Sequence, residues 1–340
     1  MPLAGPRFLV LDKPPGPTSH DCVDIVRAVV GDRRVGHTGT LDPFASGVLL
    51  LGLGPATRLI SFLEDDHKVY RCGLRLGRAT TTGDTEGETR AEAPVPPLDA
   101  AAIRAALGAM CGQRDQTTPL YSAVKVNGRR LYELARAGVE VEAPVRSVRI
   151  DLAELIGLDG DLIDLRLTCG KGTYARAFGE ELAERLGTVG HLEALRREAT
   201  GGATLEHAVS LPQLAARVAA EPPPVGPDGA VDWRAVLRSP RGVLRLPWRP
   251  RAEIDALLAD LLRPPTLALE GLPALQLSPA QADRLLRSGV LPGPEAAPLP
   301  SAPPVHGRFL ACLGDEVLAL GEELDGRRRA LRVLPPGAPA

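Results

Sequence analysis

The chain has 340 residues, of which 44% are hydrophobic and 24% charged, a composition that supports a buried core and excludes an extended disordered polymer. Single cores rarely grow far past about 250 residues, so one large domain plus a smaller one is expected. A formal net charge of −2 lacks the general basic excess that often announces nucleic-acid binding, so any such site has to be a local basic surface.

The five cysteines, Cys22, Cys72, Cys111, Cys169 and Cys312, are odd in number, widely spaced and free of any CxxC pair. That pattern argues against a disulfide framework or a zinc site and fits a reducing cytoplasm. The first residues meet proline and charge too early for a secretory signal or a membrane span, and neither is expected.

In chain order, Phe8 to Leu11 reads as a short buried strand. Ser19 stands where a helix cap belongs, ahead of Val23, Val26 and Val30 at helical spacing, and Gly31 ends that helix. Val48 to Leu53 reads as a buried strand. From Tyr70, the residues Tyr70, Cys72, Leu74 and Leu76 alternate with Arg71, Gly73 and Arg75, a half-buried strand. Asp99 caps a helix carrying Ile103, Ala106, Leu107 and Met110, closed by Gly112, and a second helix follows Arg129 and Arg130. Two alternating strands, Val148 to Leu152 and Ile163 to Cys169, precede a helix bearing Phe178, Leu182 and Leu186.

Between Glu221 and Pro250 the text turns rich in Pro, Gly and Arg and its periodicity fades, which reads as a linker or surface insertion. Beyond Glu270, Phe309 to Leu313 and Val317 to Leu320 flank Gly314-Asp315-Glu316 as a β-hairpin, with Ala330 to Leu334 as a third strand. Pro292 to Pro304 reads as a flexible loop within this segment.

The stretch with most chemistry is Gly36-His37-Thr38-Gly39-Thr40-Leu41-Asp42-Pro43-Phe44-Ala45-Ser46-Gly47. Three glycines, a proline and small hydroxyls describe a tight loop whose backbone can approach a ligand, with Asp42 riding on it. An Asp before Pro also simply initiates turns. A phosphate cradle is excluded, because no Lys and Ser/Thr follow the last glycine. Farther on, Lys125 to Arg136 sets Lys125, Arg129, Arg130 and Arg136 against Glu133 alone, with Tyr132 among them. This is either a solvated helix face or a basic excursion that folds over nucleic acid.

These blocks, in this order, resemble the tRNA pseudouridine synthase B (TruB) family. Leu11-Asp12-Lys13-Pro14 with Gly16 and Ser19 is similar to its opening motif, and Gly36 to Gly47 to its catalytic loop. Lys68-Val69-Tyr70-Arg71, Leu120 to Lys125 with Leu131-Tyr132-Glu133 and Ala135 to Gly138, Cys169 to Arg176, and Leu195-Arg196-Arg197 are similar to later blocks. The likeness covers about residues 8 to 215, while the C-terminal part resembles only loosely the small RNA-binding PUA domain of many members.

The resemblance implies Asp42 as the essential carboxylate, Tyr70 stacked on the target uracil, and Arg176 paired with the carboxylate. His37 fills the space of an extruded uridine, and Tyr174 and Leu195 complete its pocket. Lys13, Lys125, Arg129, Arg130 and Arg136 contact RNA. Each role suits its chemistry: an arginine beside a carboxylate keeps it ionised in a partly dry pocket, and stacking offsets the cost of taking a base out of its helix. By residues alone, Arg176 is equally a surface salt bridge and His37 an ordinary loop hydrogen-bonder.

The implied fold is α+β, a mixed, largely antiparallel sheet flanked by helices, with a small β-rich PUA-like domain. The expected boundaries are a catalytic domain over 1–220, a linker and connecting helix over 221–269 and the small domain over 270–340. No cofactor or metal, no membrane and no obligate protein partner is expected; the substrate is the T-arm stem-loop of tRNA at position 55, modified by a cytoplasmic monomer. The competing readings are a non-catalytic tRNA-binding or folding protein and a guide-RNA-dependent synthase. One departure is Thr81, where members commonly carry an aspartate; Asp84 and Gly87 keep the pattern.

Overall fold

The computed structural model describes residues 6–63, 67–122, 124–126, 128–139, 141–218, 225–226, 251–293 and 307–334. Along the chain run strand β1 (Arg7–Lys13), helix α1 (Ser19–Val30), strands β2 (Val35–His37) and β3 (Ser46–Leu53), a 3-10 turn (Gly54–Leu59) and the one-turn helix α2 (Ile60–Leu63). Next come β4 (Lys68–Leu76), β5 (Arg78–Thr80), β6 (Thr89–Glu92), α3 (Ala100–Ala109), β7 (Gly112–Thr117), the short β8 (Lys125–Val126) and β9 (Arg129–Arg130), and α4 (Leu131–Arg136). The strands β10 (Val145–Asp159) and β11 (Leu162–Cys169), helix α5 (Ala175–Arg185) and strand β12 (Gly190–Thr200) follow. Then come β13 (Ala203–Thr204), β14 (Val209–Ser210), α6 (Leu211–Val218), β15 (Leu262–Arg263), β16 (Ala274–Gln276), β17 (Gly307–Leu313), β18 (Glu316–Leu324) and β19 (Arg327–Val333).

The chain divides into two compact units, one of Met1–Pro43, Val48–Glu64 and Gly201–Ala340, the other of Phe44–Gly47 and Asp65–Thr200. This division cuts the chain differently from the sequential boundaries near 220 and 270. The proposed linker of 221–250 lies outside the described residues except for 225–226, and so does the proposed loop of 292–304 except for 292–293.

In the first unit β1 lies beside β3, pairs in parallel with β14 (Leu11 opposite Val209) and antiparallel with β15 (Phe8 opposite Arg263). Strand β2 pairs antiparallel with β3, His37 opposite Leu51. The cap of α1 is Thr18, one residue before the expected Ser19: Thr18 accepts from the Asp21 amide at 3.0 Å and its own amide donates to the Asp21 carboxylate at 2.8 Å. That reciprocal box satisfies two otherwise orphaned donors and leaves Ser19 inside the helix.

A four-stranded sheet, β16-β17-β18-β19, forms the end of the chain. Its expected hairpin is β17 to β18, and β19 is the third strand. Both faces of β17 are covered, since Phe309 and Ala311 pack with Leu275, Leu285 and Leu318, while Leu310 and Cys312 join Phe8, Val10, Val48 and Leu50. A strand buried on both sides reads as a continuous apolar run. The C-terminal sheet therefore shares a core with the first strands of the chain.

The second unit is built on the order β12-β4-β11-β10-β7, antiparallel at every pairing. On β4, Tyr70, Cys72, Leu74 and Leu76 are buried, as the period-2 pattern requires. The intervening residues carry ion pairs: Arg71 meets Asp164 at 2.6 Å, Arg75 meets Glu193 at 2.5 Å, and Arg166 of β11 meets Glu198 at 2.7 Å. With the helices, this is the expected α+β architecture around a mixed, largely antiparallel sheet.

Gly47 marks a close approach. It has φ +103° and lies opposite Arg197 of β12 in a parallel pairing, where a Cβ would sit 2.1 Å from the Arg197 carbonyl oxygen. Backbone cannot yield as a side chain does, so Gly47→Ala is expected to cost on the order of 2 kcal/mol or more in stability. A urea-unfolding midpoint equal to the parent's would refute this account of the crossing.

Candidate active site

In the first unit, the loop that carries Asp42 is fastened on both sides of it. The buried Ser19 hydroxyl accepts from the Leu41 amide at 2.8 Å and donates to the Leu41 carbonyl at 3.0 Å. The Pro43 carbonyl accepts from the Gly16 amide at 2.8 Å and from Lys13 Nζ at 3.2 Å, and Lys13 also donates to the Pro14 carbonyl at 2.9 Å. Thr38, upstream, donates its amide to the Leu50 carbonyl at 3.1 Å. Asp42 itself is half-buried, held between two pinned neighbours.

Lys13 is fully buried, and its ammonium donates to two loop carbonyls, so it shapes the loop that carries Asp42. Ser19 likewise has a role that the helix-cap reading missed. His37 is half-buried at the end of β2, opposite Leu51.

In the second unit, Tyr70 of β4 is 8% exposed and lies opposite Leu167 of β11 and Arg197 of β12; Leu195 of β12, 7% exposed, lies opposite Cys72. Directly opposed residues share a face, so Tyr70, Cys72, Leu195 and Arg197 form one patch. Burial pushes the Cys72 thiol well above its ordinary range, so it presents a neutral, apolar neighbour.

Arg176, in the first turn of α5, is only 3% exposed. Its Nη1 donates to the Thr82 carbonyl at 2.6 Å, its Nη2 to the Tyr121 carbonyl at 3.0 Å, and its Nε lies 3.6 Å from Asp84 Oδ2. A buried guanidinium cannot lose its proton, so it requires counter-charge and acceptors close by. Asp84 is buried too, and its other oxygen accepts from Thr82 Oγ1 at 2.5 Å and the Glu86 amide at 3.0 Å. Sequence reasoning placed Asp84 in the family pattern but gave it no task. The Thr82-x-Asp84 spacing of a local side-chain turn was the one available sign.

Tyr174 precedes α5, with its amide donating to Gln116 Oε1 at 2.8 Å and its carbonyl accepting from Gln116 Nε2 at 3.1 Å. The basic excursion is a β8–β9 ribbon followed by α4, folded back where the Leu131 amide meets the Val124 carbonyl at 2.8 Å and the Tyr132 amide meets the Ser122 carbonyl at 3.2 Å. Lys125, Arg129 and Arg130 are exposed, and Arg130 donates to the Tyr132 hydroxyl at 2.9 Å. Arg136 ends α4. An open cleft of about 720 Å³ within this unit is lined by Leu120, Tyr121, Ala135 and Val139 with Thr81 and Arg90. Thr81, the departure from the family pattern, thus presents a neutral hydroxyl where an acid would add charge.

Glu180 on α5 lies 3.3 Å from Arg90; burial raises its carboxyl pKa, against the lowering effects of Arg90 and Arg176. Among the described residues no group of three or more His, Cys, Asp or Glu is arranged to hold a metal ion.

Residues 27–175 match the profile described as TruB family pseudouridylate synthase (N terminal domain). The chain is 46% identical over 222 residues to tRNA pseudouridine synthase B of Thermobifida fusca, covering 63% of this chain and 76% of that protein. It is 37% identical over 330 residues to tRNA pseudouridine synthase B of Caulobacter vibrioides, covering 96% and 95%. Its fold is similar to a chain in the crystal structure of a Cbf5-Nop10-Gar1 complex, with TM-score 0.66, 21% identity, and coverage of 97% of this chain and 83% of that one.

Replacing Asp84 by Asn keeps the shape but removes the carboxylate charge that faces Arg176, which is expected to destabilise the fold by about 1–3 kcal/mol. Chemical denaturation of Asp84→Asn checks this, and an unchanged midpoint would mean that Arg176 does not rely on that charge.

Proposed function

The chain belongs to the tRNA pseudouridine synthase B family, and we propose that the uridine it isomerises is the one at position 55 in the T-loop of transfer RNA, with Asp42 as the catalytic carboxylate. It is a stand-alone isomerase of the intramolecular-transferase type. The observation that carries the residue assignment is the half-buried Asp42 between Leu41 and Pro43, each pinned by hydrogen bonds from outside the loop. A reacting group fixed by its own backbone loses little freedom when substrate binds.

In this reading the uridine leaves its stack and its uracil rests on Tyr70, with Leu195 and Tyr174 closing the pocket and His37 filling the vacated space. Loss of base stacking costs a few kcal/mol, and stacking on an aromatic ring recovers about 1–3 kcal/mol of it. Arg176 pairs with Asp42 to keep it ionised, while Asp84 and the carbonyls of Thr82 and Tyr121 hold the guanidinium plane in a fixed direction. The exposed Lys125, Arg129 and Arg130, with Arg136, grip the phosphate backbone of the T-arm. The C-terminal sheet serves as the PUA-like RNA-binding part.

The bond balance needs no outside reagent. The N1–C1′ bond breaks with its electron pair going to the base, the freed uracil turns, and C5 forms a new bond to C1′; the proton lost from C5 is balanced by one gained at N1. Addition of Asp42 to C1′ and elimination across C1′ and C2′, with Tyr70 as proton acceptor, both begin from this arrangement. The protein acts as a cytoplasmic monomer on bare transfer RNA, without a guide. The similarity to the Cbf5 complex concerns fold alone, whereas the relatives above 35% identity carry the name tRNA pseudouridine synthase B.

Incubating purified protein with unmodified tRNA transcript and mapping the product by position tests the proposal; conversion at a single T-loop uridine is expected, and no conversion would reject it in favour of a binding-only role. Asp42→Asn should abolish turnover while leaving tRNA affinity within about twofold, since shape is kept and only the reacting charge is removed. Arg176→Lys should slow single-turnover conversion on the order of a hundredfold, because a point charge does not reproduce the planar fork. Near-parental rates in either variant would remove that residue from the chemistry.

A further inference from the structure

Strand β7 buries one side chain, and that side chain is polar. Within Gly112–Thr117 it is Gln116, 6% exposed, with Arg114 half-buried on the same face two residues before it. Both reach helix α5. Arg114 donates to the Glu181 carboxylate, in the middle of the helix. Gln116 clasps the backbone of Tyr174 at its start, accepting from the amide at 2.8 Å and donating to the carbonyl at 3.1 Å. A buried amide is unfavourable unless its donor and acceptor are both answered, and here one residue answers both. An apolar side chain would fill the same space without that requirement.

Helix α5 lacks local means of starting. Tyr174 is its N-cap and makes no side-chain capping bond, and N3, from which an acid or amide would reach back to the N-cap amide, is Ala177. Gln116 Oε1 takes that bond from 58 residues away. The Tyr174 carbonyl accepts twice, from the Phe178 amide at 3.1 Å in the first helical turn and from Gln116 Nε2. The peptide groups on both sides of the Tyr174 Cα are thereby fixed. Two residues on, Arg176 leaves the same turn toward the carbonyls of Thr82 and Tyr121. Arg114 and Glu181 already tie the helix to the strand, so what Gln116 adds is control of the end that carries Tyr174 and Arg176.

We propose that Gln116 is a positioning residue for uridine isomerisation: its side-chain amide sets the backbone of Tyr174, and so the direction from which the Tyr174 ring and the Arg176 guanidinium are presented. The inference rests on the reading that gives those two residues their places in the reaction, and Gln116 acts only through them. Displacing a reacting group by about 1 Å slows chemistry on the order of a hundredfold, so a loosened clasp acts on the rate and not on capture of the RNA.

The test uses the full chain and a full-length unmodified tRNA transcript, with single-turnover conversion and tRNA affinity measured for each variant. Gln116→Met keeps the volume and removes both bonds; conversion should slow at least about tenfold while affinity stays within about twofold of the parent. Gln116→Glu separates positioning from packing. As a carboxylate it still accepts from the Tyr174 amide but has no donor for the carbonyl, and as a carboxylic acid it regains that donor. Burial and the facing carbonyl oxygen raise the pKa of such a group, so the ratio of parental to variant rate should be about tenfold near pH 8 and fall toward unity as the pH is lowered to about 6. Arg114→Gln is the control: it unfastens α5 from β7 away from Tyr174, so the urea midpoint should drop while the rate stays parental.

A parental rate in Gln116→Met, a rate ratio for Gln116→Glu that does not change with pH, or an equal slowing in Arg114→Gln would each overturn the inference. If Gln116→Met does not fold, the pH profile of Gln116→Glu decides. A parent protein that leaves the transcript unmodified would instead reject the functional reading, so the two failures are told apart.

Discussion

A charge placed out of reach of water must be answered by its surroundings, and the second unit of this protein is organised around one such demand. Arg176 is 3% exposed, and its guanidinium is met by the carboxylate of Asp84 and the carbonyls of Thr82 and Tyr121. Those acceptors come from the turn after β5 and from the approach to the basic excursion. Fixing the guanidinium therefore also fixes the turn and the base of the excursion, and the excursion folds back on its own entry through Val124 and Ser122. A flexible lysine could not tie three acceptors in one plane.

The first unit solves a related problem for a carboxylate. Asp42 sits on a loop that would be free to move were it held only by its glycines and proline. Ser19 satisfies both backbone groups of Leu41, and Gly16 with Lys13 satisfies the Pro43 carbonyl. Hydrogen bonds to the backbone on either side of Asp42 thus fix where its side chain starts from. Lys13 is thereby a structural cation, buried against carbonyls, in a motif that reads from sequence as an RNA contact.

Electrostatically the molecule is patterned at short range. Strands β4, β11 and β12 carry arginines on their solvent face, and Arg71, Arg75 and Arg166 are each matched by an acid. Lys125, Arg129 and Arg130 of the ribbon are exposed, and Arg308 and Arg332 stack on Phe62. A net charge near zero thus coexists with local surfaces suited to a polyanion, which keeps nonspecific attraction low while allowing firm grip at chosen places.

Much was legible in the sequence wherever the information is local. The alternation Tyr70-Cys72-Leu74-Leu76 determined a half-buried strand, because period 2 fixes which residues share a face. The cap at Asp99, the hairpin at Gly314 and the dense loop from Gly36 to Gly47 were set by residue types within a few positions of one another. The helix cap falls at Thr18 and not at the expected Ser19, since both residue types cap helices and only the reciprocal bond with Asp21 decides between them. What only the tertiary structure decided are the long-range pairings: Ser19 with Leu41, Lys13 with Pro43, Arg176 with Asp84, and Arg308 and Arg332 with Phe62. These partners have no periodic or spacing relation along the chain, and they meet because burying the strands brings their flanking segments together. A buried polar group must then accept whichever neighbour the packing supplies.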